Sequence, residues 1–75
     1  MARYEVVVET DPPQEYLFAE GQQVRTLMER KFPNYFWLQS NGTFTKEVPM
    51  VVGTTTLKGF DDNDEHYISV RITKC

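Results

Sequence analysis

Between Arg3 and Thr10 the chain alternates, with Tyr4, Val6 and Val8 on one side and Arg3, Glu5, Val7 and Glu9 on the other. A period of two belongs to a strand with one buried and one wetter face, and it predicts a strand over residues 2–10. Asp11-Pro12-Pro13-Gln14 ends it, because proline brings no N–H to a ladder and presets a turn-like φ. The next stretch reads two ways, as a helix capped at Asp11-Pro12 and running to Phe32, or as a second strand over 15–20. The consecutive bulky residues Tyr16, Leu17 and Phe18 favour the strand, and Gly21 would cost a helix interior about 1 kcal/mol relative to alanine. Beyond it, Val24, Leu27, Met28 and Phe32 recur at spacings of three and four, which predicts an amphipathic helix over 22–32. Arg25 and Glu29 stand one turn apart and can pair, Arg30 and Lys31 suit the negative end of the helix dipole, and Pro33 ends the element.

The strongest local signal is Tyr35-Phe36-Trp37-Leu38-Gln39-Ser40, then Asn41-Gly42, then Thr43-Phe44-Thr45-Lys46-Glu47-Val48. Asn-Gly tolerates the positive φ angles of a two-residue hairpin turn. Such a loop sets Ser40 opposite Thr43, Gln39 opposite Phe44, Leu38 opposite Thr45 and Trp37 opposite Lys46. Tyr35, Trp37, Phe44 and Val48 then share one face, and Phe36 and Leu38 occupy the other. Both faces carry large apolar side chains, yet one short helix covers only one, so aromatic surface is expected to stay exposed.

Pro49 should end the hairpin, and Met50 to Phe60 reads as one or two extended segments around Gly53. Asp61-Asp62-Asn63-Asp64 is turn chemistry. Tyr67 to Lys74 is a last strand, with His66, Ile68, Val70 and Ile72 on one side and Tyr67, Ser69, Arg71 and Thr73 on the other. Short turns join antiparallel neighbours. The expected fold is therefore a single α+β domain over 1–75, a mostly antiparallel sheet of about five strands with one helix on one face, in the order ββαβββ.

Composition narrows the function classes. A 75-residue chain, 40% hydrophobic and 25% charged, has a globular composition, though one this short buries only about 60% of its unfolded surface. The net charge of −3 argues against an indiscriminate grip on phosphate or anionic lipid, and no apolar run approaches the roughly 20 residues of a membrane helix. Charge is uneven, with −4 over residues 1–20, +2 over 21–31 and −4 over 61–65. Cys75 is the only cysteine, so no internal disulfide is expected, and the N-terminal residues lack a secretory pattern. Both point to a cytoplasmic protein, in the host cytoplasm if the chain is phage-encoded. The sequon Asn41-Gly42-Thr43 is then a tight turn rather than a glycosylation site, and Cys75 is misplaced for prenylation.

Catalytic chemistry finds little to work with. A triad or histidine metal site would have to combine His66 with Ser69, Ser40 or Cys75, which no local motif supports. There is no CxxC, no HExxH and no glycine-rich phosphate loop, so no cofactor and no metal is expected. Asp61 to Glu65 begins like an EF-hand loop, but His66 stands where glycine is required and Ile72 where the closing glutamate belongs.

Two surfaces remain as candidates for partner binding. The first is the aromatic hairpin face, with Tyr35 and Trp37 as anchors and Phe44 and Lys46 beside them, since tryptophan and tyrosine dominate interface hot spots. The second is the acidic turn of Asp61, Asp62, Asp64 and Glu65, which would speed association with a basic partner. The expected function is a non-enzymatic module docking on a larger protein. Compact microbial or bacteriophage accessory proteins that inhibit or redirect a host factor are one class of such chains. The alternative is a single-stranded nucleic-acid-binding domain, stacking bases on the same rings. Self-association through an unpaired sheet edge is a third reading.

Overall fold

In the computed structural model, which describes residues 3–63 and 65–75, the alternating N-terminal segment forms strand β1 (Tyr4–Val8). The elements that follow are β2 (Gln14–Phe18), helix α1 (Gly21–Lys31), β3 (Tyr35–Leu38), β4 (Phe44–Thr45), β5 (Thr55–Asp61) and β6 (His66–Lys74). All six strands join one antiparallel sheet in the order β2-β1-β6-β5-β3-β4. The expected α+β architecture stands, with one strand more than the five anticipated, and Tyr16 to Phe18 is strand, not helix.

The register assigns the faces. Tyr4, Val6 and Val8 lie opposite Lys74, Ile72 and Val70, and Leu57 lies opposite Val70, so these side chains share one side. Val24 and Met28 of α1 are fully buried against this side, completing a core with Tyr4, Val6, Val8, Trp37, Leu57, Val70 and Ile72. The helix begins with Gln23 Oε1 accepting the N–H groups of Ala19 and Glu20, which satisfies donors the first turn cannot. It ends with the Phe32 N–H donating to the Met28 carbonyl, just before Pro33.

One helix does not close the core by itself. The connection between β4 and β5 folds along α1 and contributes the buried side chains of Val48 and Val51. Arg25 is tied to this connection and not to Glu29. Its Nε donates to the Val48 carbonyl at 2.9 Å, and its guanidinium lies 3.7 Å from the Glu47 carboxylate. Gly21 allows the approach, because a Cβ there would collide with the Val51 carbonyl.

The hairpin differs from expectation by one residue. Gln39 donates its N–H to the Thr43 carbonyl at 2.7 Å, and Gly42, at φ +87°, donates to the Gln39 carbonyl at 3.0 Å. The loop is therefore Ser40-Asn41-Gly42, three residues with glycine in the left-handed position, and Asn41 Oδ1 accepts from the Thr43 N–H and hydroxyl. Trp37 lies opposite Thr45, not Lys46, and Leu38 opposite Phe44. A slip of one residue turns a side chain to the other face. Phe44 accordingly joins Phe36 and Leu38, away from Tyr35 and Trp37. Gln39, at the end of β3, ties the segment after β4 back to that strand, its Nε2 donating to the Trp37 carbonyl, to Thr45 Oγ1 and to the Glu47 carbonyl.

Replacing Gly21 with alanine should raise local helix propensity by about 1 kcal/mol and still lower stability, because the Val51 carbonyl must move. Urea unfolding of Gly21→Ala checks this, and a midpoint at or above that of the parent would refute the close contact.

Candidate docking surface

Among the described residues, no element covers the second face of the sheet. Residues alternate out of the pleat, so β5 and β6 send Thr56, Lys58, Phe60, Tyr67, Ser69 and Arg71 to this side, joined by Phe36 and Leu38 of β3 and Phe44 of β4. Phe36 lies opposite Phe60, and Phe60 opposite Tyr67, which lines three rings across adjacent strands. Phe60 and Tyr67 stand 4.7 Å apart between ring centres at 38°, and Phe44 meets both edge-on at 6.5 Å. Lys46 holds its ammonium 5.7 Å from the centre of the Phe36 ring. These rings and Asp62 line a shallow hollow of about 400 Å³. Tyr67 keeps 70% of its surface exposed and Phe44 keeps 40%.

The anchor expected at Trp37 is corrected by its position. Trp37 is 1% exposed and packs on Gly59, where an added Cβ would stand 2.9 Å from the indole Cζ3. Tyr35 lies on the same covered side, half-buried against Trp37 and edge-on to Phe32. Of the expected hairpin residues, Phe44 and Lys46 are on the surface, and the three-residue loop brings them to the rings of the opposite face.

The acidic turn divides in the same way. Asp61 is 9% exposed, and its Oδ1 accepts the Asn63 N–H at 2.9 Å, so it shapes the turn and is withdrawn from the acidic surface. Asp62 and Glu65 are exposed, and Asp62 borders the aromatic hollow. Asp64 lies outside the described residues. Among the described residues no three His, Cys, Asp or Glu side chains are grouped to hold a metal ion, and no helix is long and apolar enough to cross a membrane.

Phe36, Phe60 and Tyr67 were missing from the expected surface. The alternation in 66–74 already put Tyr67 opposite the core set, and the pleat put Phe36 opposite Trp37. Phe60 carried no such signal, because the residues before it show no clear period. The chain matches no family model, no curated protein and no solved structure in the comparisons made.

Truncating Trp37 to alanine should cost about 3–5 kcal/mol, as expected for a buried indole. Tyr67→Ser, which gives up a tilted ring contact with Phe60 and an edge-on one with Phe44 at an exposed position, should cost no more than about 1.5 kcal/mol. Paired urea titrations test the contrast, and equal losses would contradict the assignment of inner and outer faces.

Proposed function

We propose that this chain is a non-enzymatic protein-docking module, and that its contact surface is the open sheet face around Phe36, Phe44, Phe60 and Tyr67, with Lys46 and Asp62 at the rim. The observation that carries the reading is the exposure of Tyr67 and Phe44 on a face with no covering element. Clustered exposed aromatics on a small domain mark an interaction site, and such rings supply most of the binding energy at protein interfaces. A module of this kind acts by occupying a larger protein, as an inhibitor or regulator of it, in the manner of a microbial or bacteriophage accessory protein.

The rings favour protein over single-stranded nucleic acid. Base stacking needs free ring faces and a cationic track for the backbone. Here Phe44 meets its neighbours edge-on, an ammonium sits over Phe36, and Asp62 borders the site in a chain of net charge −3.

The expected result of a tagged capture from a lysate of the source organism is a stoichiometric protein that survives nuclease treatment. It should be lost with Phe44→Ser/Tyr67→Ser and retained with Val52→Ser, a control at an exposed residue of the connection between β4 and β5. Capture of nucleic acid alone, with affinity falling steeply as salt rises, would replace this reading with the stacking one.

A further inference from the structure

The two ends of the sheet are unlike. β4 is two residues long, whereas β2 presents five residues, Gln14–Phe18, with no strand beyond them among the described residues. Its free backbone groups follow from the ladder. Glu9 donates its N–H to the Ser69 carbonyl and Cys75 donates to the Arg3 carbonyl, so the odd-numbered residues of β1 bond toward β6. Antiparallel pairs alternate, so Tyr4, Val6 and Val8 bond toward β2, and their partners Phe18, Tyr16 and Gln14 bond back. The N–H and C=O groups of Glu15 and Leu17 therefore point out of the sheet. Lysine, proline and bulges commonly guard such an edge, and β2 holds no lysine or proline and pairs with β1 in unbroken register.

The side chains give this edge a polarity. On the open face Leu17 is 62% exposed, and the exposed carboxylates of Glu15 and Glu5 stand beside it, with Glu5 directly opposite Leu17. On the covered face Lys31 places its ammonium 5.6 Å from the Tyr16 ring centre and 3.1 Å from Gln14 Oε1. The edge is acidic and apolar on one side and cationic on the other.

We propose that the β2 edge accepts an extended segment of another protein as an added antiparallel strand. The segment carries a basic residue opposite Glu15, an apolar residue opposite Leu17 and an acidic residue opposite Tyr16, within reach of Lys31. Main-chain hydrogen bonds supply affinity in this mode of recognition, and the alternating side chains supply specificity. A second copy of β2 fits less well, because Gln14–Phe18 contains no basic residue to meet Glu15. The site lies at the opposite end of the sheet from β4 and the aromatic hollow, and it stands or falls independently of them.

The probes are three synthetic peptides followed by ¹⁵N chemical shifts of the full chain. Acetyl-Thr-Val-Glu-Lys-Thr-amide places its Val, Glu and Lys opposite Leu17, Tyr16 and Glu15. Acetyl-Thr-Val-Lys-Glu-Thr-amide has the same composition with the charges exchanged, and the third peptide is the first with N-methyl groups on Val and Lys. The first should shift amides within 14–18 and bind about tenfold more tightly than the second, and N-methylation should abolish the effect. Glu15→Lys, with a dispersed spectrum confirming its fold, should reverse the preference. Equal binding of the two charge orders, indifference to N-methylation, shifts centred on Phe44 and Tyr67, or no shifts at millimolar peptide would each overturn the proposal. So would sedimentation showing that the chain alone dimerises and that Leu17→Lys prevents it.

Discussion

Trp37 packs on Gly59 where β3 pairs with β5, and the space for its indole exists only because Gly59 has no side chain. The contact joins the two halves of the sheet, since β5 continues through β6 and β1 to β2, and β3 carries β4. It also settles which side of these strands is inward. Once Trp37 and Gly59 face the core, the pleat sends Phe36, Phe60 and Tyr67 outward, so the contact that closes the interior also builds the aromatic exterior. A bulkier residue at 59 would disturb both at once.

Covering the inner face takes more than the helix. A chain of 75 residues has little apolar surface to spare, and the connection from β4 to β5 is recruited as a second cover through Val48 and Val51. Arg25 binds the Val48 carbonyl with the long arm of a side chain that is only 19% exposed, so a residue that looks like helix surface by spacing serves as a strut between covers. Among the described residues, no comparable material is left for the outer face.

The sequence carried the elements better than their registration. The alternation in β1 and β6, the spacing of Val24 and Met28, and the strand preference of Tyr16 to Phe18 all act locally, and all three read through to the structure. The hairpin failed at one point. Asn41-Gly42 fits both a two-residue turn and the end of a three-residue loop, and only the pairing of Gln39 with Thr43 distinguishes them. That single residue decides whether Phe44 accompanies Trp37 or Phe36. Asp61 was misread for a related reason, because a carboxylate at a strand end looks acidic in sequence whether it faces solvent or accepts a backbone N–H. The weak periodicity of 50–60 reflects its division into a covering loop and a strand, two environments that share no period.

The shortness of β4 also bears on how such chains can assemble. A sheet open at both ends behaves as a bifunctional monomer, able to add copies indefinitely and grow into a fibre. With β4 reduced to two residues, that end offers little backbone for a further strand. The molecule is then nearly monofunctional in the polymer chemist's sense, because a pair joined through β2 presents only two-residue strands at its two ends.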